Sequence, residues 1–142
     1  MRRIFILTAI LFLSLALSAC GAPDRKSLDE KEANACVSAI RALSESTDEI
    51  KVIGKAFKTE KSFDGHDLRT VSLQTHFIRD RGMIMEKSYT CSYEEIFGIF
   101  GADIRFYRLE MDGMVYGNVD GEIKGGFDEL LRIQSATDDA MK

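Results

Sequence analysis

The segment Asp67-Leu68-Arg69-Thr70-Val71-Ser72-Leu73-Gln74-Thr75-His76-Phe77 alternates with a period of two. Val71, Leu73, Thr75 and Phe77 fall on one side, and Thr70, Ser72, Gln74 and His76 on the other. Successive side chains of a strand point to opposite faces, so this pattern predicts a strand with one buried face and one polar face. A single wetted face is the mark of an antiparallel sheet. Arg79-Asp80-Arg81-Gly82 follows, turn chemistry in which glycine is free to take positive φ. Residues 83–93 then place Met83, Met85, Tyr89, Cys91 and Tyr93 on one face, which predicts the second arm of a hairpin.

The pattern continues downstream. Residues 104–111 read as a strand, and Asp112-Gly113 as a type I′ turn, whose two central residues both need φ above zero. Residues 114–119 return, Asp120-Gly121 turns the chain again, residues 122–124 extend it, and Gly125-Gly126 ends the sheet. Phe127, Leu130, Leu131, Ile133 and Ala136 predict a short C-terminal helix fading into a polar tail. On the N-terminal side, Ser27-Leu28-Asp29-Glu30 has the form of a capping box. A helix beginning there aligns Ala33, Cys36, Ile40 and Leu43 on one apolar stripe. The expected fold is α+β: an N-terminal helix, an antiparallel meander of four or five strands and a short C-terminal helix, in one globular domain over residues 27–142.

Two stretches admit more than one reading. Residues 46–59 could open with a helix cap at Ser46-Thr47-Asp48-Glu49, but their β-branched residues favour a strand from about residue 50 to 59. Residues 93–101 could form a helical turn crossing the sheet edge or a loop. If exposed, Phe97, Ile99 and Phe100 would make a contact patch; the apolar character favours the core.

Cysteine usage adds a constraint. Cys36 lies on the helix stripe and Cys91 on the apolar face of its strand, so both point into a shared core. In an exported chain such a pair predicts one disulfide.

Export is written in the first twenty residues. Arg2 and Arg3 precede an apolar run over residues 4–17, interrupted by Thr8 and Ser14, and the sequence Leu17-Ser18-Ala19-Cys20 follows. The run is shorter than the roughly 20 residues needed to span a bilayer, and its order of basic head, apolar run and small residues is that of a removable signal. It resembles the signal peptide of bacterial lipoproteins, whose lipobox ends in cysteine. The resemblance implies cleavage before Cys20, a diacylglyceryl group on its thiol and an acylated amine, with palmitate-type chains. Residues 1–19 would be removed, and residues 20–26 would form the lipidated cysteine and a short tether. Gly21, where aspartate would retain a lipoprotein at the inner membrane, implies the outer membrane facing the periplasm. The outer-membrane assembly lipoproteins and the membrane-bound lysozyme inhibitors share no motif with the mature residues.

Composition limits partners. The formal net charge of −4 becomes more negative once Arg2 and Arg3 are removed. An acidic domain lacks the basic footprint of a nucleic-acid binder and favours a monomer. Catalytic signals are sparse. Asp64-Gly65-His66-Asp67 lacks metal-ligand spacing and reads as a turn. The aspartates of Asp112-Gly113 and Asp120-Gly121 fail the spacing of a calcium loop. His76 falls on the polar strand face. No nucleophile elbow, Cys-x-x-Cys pair, phosphate loop or dinucleotide fingerprint occurs. The expectation is a non-catalytic envelope lipoprotein without cofactor or metal, presenting a binding surface to another envelope component. The alternative is an inhibitor or immunity-type protein acting on an incoming enzyme, and behind it a small periplasmic enzyme. Arg105, Tyr107 and Tyr116 are candidate contact residues, although both tyrosines also suit packing on the sheet.

Overall fold

A computed structural model describes residues 24–44, 48–79 and 82–142. The signal, Cys20 and most of the tether lie outside the described residues, as does the Asp80-Arg81 half of the first predicted hairpin turn. Helix α1 spans Arg25–Leu43 and helix α2 spans Phe127–Met141. Between them run β1 (Glu49–Lys61), β2 (Asp67–Arg79), β3 (Met83–Gly98), β4 (Gly101–Met111), β5 (Met114–Val119) and β6 (Glu122–Lys124). The six strands form one antiparallel sheet in sequence order. The meander therefore has six strands rather than four or five. The strand reading holds from Glu49 onward, Ser46 and Thr47 lying outside the described residues, and Glu122–Lys124 pairs with β5 instead of trailing off.

Helix α1 starts two residues before the predicted box. Asp24 is the N-cap, its carboxylate accepting from the Lys26 amide at 3.4 Å. Ser27 falls inside the first turn. The earlier start brings Arg25 into the helix, where its guanidinium reaches Asp29, Glu32 and Glu95. At the other end, the Ser44 amide and hydroxyl both donate to the Ile40 carbonyl. Helix α2 is longer than expected and continues through the polar residues to Met141. Its first turn carries Asp128 and Glu129, charges that favour a helix N-terminus, and Glu129 accepts from the Gly126 amide at 2.8 Å.

Both helices pack on one face of the sheet and against each other. Ala33, Cys36 and Ile40, spaced for one helical face, meet Val71, Leu73, Phe77, Tyr89, Cys91, Tyr93 and Leu109 from the strands and Ile133 from α2. The alternation of residues 71–77 is borne out: Val71, Leu73, Thr75 and Phe77 are all buried. The disulfide between Cys36 and Cys91 is present, with Cα atoms 5.7 Å apart, and ties α1 to the middle of the sheet. At the end of the predicted stripe Met83 is exposed, because it lies near a strand end beyond the helices' cover.

Register fixes which turns lie together. Lys61 pairs with Asp67, Asp67 with Glu95, and Gly98 with Gly101. The β1–β2 and β3–β4 turns therefore share one end of the sheet, and the meander brings the β5–β6 turn to that end as well. Phe63 of the β1–β2 turn lies beside Gly121 of the β5–β6 turn, so the sheet curls across this end. Asp112-Gly113 and Asp120-Gly121 have positive φ at all four residues, as type I′ turns require. Gly117 (φ 107°) has no room for a side chain: a Cβ there would stand only 2.2 Å from the Tyr107 carbonyl oxygen. Strand β1 is an edge strand of 13 residues, bulged between Val52 and Gly54 and carrying Lys51, Lys55, Lys58 and Lys61.

Candidate binding face and buried carboxyl cluster

The face of the sheet turned away from the helices is made of short polar side chains. Cross-strand pairing sets Ala56, Ser72, Thr90 and Glu110 in one row, with Gly54, Gln74 and Ser88 beside it. The next row is Lys58, Thr70, Ser92 and Arg108. Here the Thr70 hydroxyl donates to Glu60 at 2.9 Å and lies 3.0 Å from the Ser92 hydroxyl. Thr70 and Ser92 are buried although no helix covers them, which the sequence pattern, placing Thr70 on the wetted face, did not anticipate. Lys58 and the Thr70 hydroxyl hold the Glu60 carboxylate below its usual range. Shallow hollows open on this face, one of about 260 Å³ beside Ser88, Thr90 and Glu110 and one of about 440 Å³ beside Ile53, Gln74 and Ser88. Serine, threonine and glycine leave the backbone close to the surface, so a flat partner could approach with hydroxyls and edge charges available for hydrogen bonds.

The candidate contact residues are not gathered on this face. Arg105 is on it but is paired with Asp103 at 2.6 Å. Tyr116 points to the helix side and packs against the core, as the packing reading expected. Tyr107, the extra residue of a bulge in β4, lines a cleft of about 290 Å³ where β4 and β5 separate, with Asp64, Glu94, Phe106 and Asn118 among its neighbours. His66 is exposed in the β1–β2 turn, away from Asp64's cleft. His76 is on the polar face, with Nε2 3.3 Å from Glu86. Among the described residues, no group of three or more histidines, cysteines and carboxylates is arranged to hold a metal ion, and no helix is long and apolar enough to cross a membrane.

A second cluster lies under α1. Arg69 makes a two-pronged pair with Asp29, at 2.9 and 2.8 Å, and stacks over Phe57. Arg25 bonds Asp29 at 2.9 Å and lies 2.6 Å from Glu95 and 3.5 Å from Glu32. Glu32 is fully buried and Glu95 nearly so. Three carboxyls facing two guanidiniums balance only if one carboxyl keeps its proton. Burial, a hydrogen bond to Glu95 and that neighbour's charge push Glu32 up to about 9, against the attraction of Arg25. Protonated Glu32 can donate to Glu95, and the remaining charges cancel. The Tyr93 hydroxyl, buried nearby, is raised by burial and by Glu32. Glu32 and Glu95 are closed to solvent beneath a half-exposed Arg25, so the cluster's chemistry is to hold a proton and tie α1 to β2 and β3. One signal for Glu32 was present in the sequence: it stands midway between Leu28 and Cys36, on the apolar stripe itself.

Residues 97–100 depart from the expected core placement. Phe97 is 53 % exposed, Ile99 93 % and Phe100 99 %. They form the tip of the β3–β4 hairpin, which projects past the helices and so finds no surface to pack on.

No protein-family model, curated protein or solved structure matches this chain.

Proposed function

We propose that this protein is an envelope lipoprotein, held by acyl chains on Cys20, that works by binding another envelope component through the uncovered face of its sheet. The observation that carries the binding reading is the broad face of Ser72, Ser88, Thr90 and Gln74, rimmed by Lys58, Glu110 and Arg108, which neither helix covers. The Leu17-Ser18-Ala19-Cys20 sequence supports the anchor, and Gly21 supports the outer membrane facing the periplasm. Helix α1 begins at Arg25, so only residues 21–24 separate the helix from Cys20. The domain would stay within roughly 17 Å of its anchor.

The test is site-specific photocrosslinking in the native envelope, with the probe at Ser88 or Thr90 on the sheet face and at Arg41 on the exposed side of α1. One dominant product from the sheet positions, absent from Arg41, supports the reading and identifies the partner. A product equally strong from Arg41, or none from the sheet face while control lipoproteins crosslink normally, refutes it. An incoming enzyme as the captured species would move the protein to the inhibitor or immunity class.

A further inference from the structure

The β3–β4 hairpin tip breaks the rule that the other tight turns of this sheet obey. At Asp112-Gly113 and Asp120-Gly121 a two-residue loop carries the aspartate and glycine that a type I′ turn favours. The β3–β4 loop is also two residues long, closed by the Gly98–Gly101 pair, yet its residues are Ile99 and Phe100. Neither is needed for the turn, and at 93 % and 99 % exposure neither stabilises the core. Phe97 on the same hairpin and Phe63 on the neighbouring β1–β2 turn, 70 % exposed, extend the apolar surface at this end. Contiguous exposed apolar groups at one end of a domain mark a contact with something apolar.

The path of the chain indicates what that is. Glu95, four residues before Ile99 on β3, is ion-paired to Arg25, the first residue of α1, at 2.6 Å. The apolar tip and the point where the tether enters the domain therefore share one end. From the Glu95–Arg25 contact the hairpin extends about 13 Å to its tip, and five residue steps back from Arg25 to Cys20 reach about 17 Å at most. The tether's maximum reach is therefore long enough to bring Cys20 level with the hairpin tip.

We propose that Ile99 and Phe100 insert into the interface of the bilayer that holds the acylated Cys20, making a second contact that fixes how the domain faces away from the membrane. This rests on the anchor reading above. Two large apolar side chains would hold a free protein only weakly, but a tethered domain meets the surface at high effective concentration.

The chain contains no tryptophan, so Phe100→Trp creates a single fluorescent reporter at an exposed position. Met114→Trp places the same reporter in the β4–β5 hairpin at the opposite end of the sheet, where Met114 is also exposed. Each full-length variant is expressed, processed and reconstituted into phosphatidylethanolamine–phosphatidylglycerol vesicles with and without brominated acyl chains. The expected result is a blue-shifted emission for F100W, strongly quenched by the brominated lipid, with M114W unshifted and unquenched. If F100W on acylated, vesicle-bound protein emits as M114W does, insertion is overturned while the anchor stands. A blue shift without bromine quenching means that the tip packs on a second copy, and also overturns it. If mass spectrometry finds Cys20 without lipid, the anchor reading fails and the inserted tip fails with it.

Discussion

Replacing Glu32 by glutamine should nearly abolish the pH dependence of stability between pH 5 and pH 8. In the folded protein Glu32 keeps its proton up to about pH 9; in the unfolded chain it loses it near 4.5. Across that window Glu32 binds its proton more tightly in the native state, so the stability it contributes is full below about pH 4.5 and is lost as pH rises toward 9. Each pH unit inside the window is worth about 1.4 kcal/mol, so from pH 5 to pH 8 the wild type should lose on the order of 4 kcal/mol. The groups around Glu32 do not cancel this: Arg25 stays charged throughout and Tyr93 titrates above the window. Glu60, lowered by Lys58, titrates below it. Glutamine has the same shape, keeps a donor for Glu95 and carries no proton to lose. Urea unfolding of the oxidised proteins, followed by far-ultraviolet circular dichroism at pH 5, 6.5 and 8, reads the difference. With m near 2 kcal/mol/M, the wild-type midpoint should fall by roughly 2 M while that of Glu32→Gln stays nearly level. Parallel losses in the two proteins would show that Glu32 is not the proton-holding group and would refute the charge balance described for the cluster.

Cys36→Ala combined with Cys91→Ala opens a loop whose ends are 55 residues apart; chain entropy predicts a loss of about 4 kcal/mol, read by denaturant unfolding. Gly117→Ala should destabilise by at least about 1–3 kcal/mol from backbone strain alone, because the new Cβ would also meet the Tyr107 carbonyl oxygen; thermal melting checks this, and an unchanged melting temperature would show that β4 and β5 can separate freely. Cys20→Ser should leave the chain unacylated and its signal uncut, measured by intact mass; normal processing would remove the lipobox assignment.

The strand pattern was legible because it is local. Residues 71–77 declare their buried side by alternation alone, and the two Asp-Gly pairs declare their turns because few other residues tolerate positive φ at both positions. Cys36 and Cys91 could be paired because each sits on the inward side of its own element. Residues at the sheet's margins were harder. Alternation says which side of a strand a residue faces, not whether anything covers that side. Alternation therefore places Thr70 on the wetted side though it is buried against Glu60 and Ser92, and apolar character assigns residues 97–100 to the core though their hairpin outruns the helices. Ser27 and Glu30 form a good box and point to a later start for α1, whereas the benefit of the observed start at Arg25 comes from Glu95, distant in sequence. The role of Glu32 is hidden for the same reason: its partners Arg25 and Glu95 come together only after folding. Arg105, Tyr107 and Tyr116 do not share one face because the bulge in β4 shifts the pairing at Tyr107, so Arg105 and Tyr116 face opposite sides of the sheet.

The lysines along β1 acquire a further meaning for a protein held on a surface. Molecules confined to a membrane meet one another far more often than the same number free in a compartment. Glu49–Lys61 offers a long unpaired backbone edge on which a second copy could continue the sheet. Lys51 would set its charge against that of an approaching β1, Lys55, Lys58 and Lys61 line the edge with ion pairs to Glu30, Glu60 and Asp67, and the bulge at Val52–Gly54 breaks the even spacing that such pairing needs. At the far margin β6 is only three residues long. Crowding could therefore raise the local density of the protein without the sheets joining into filaments.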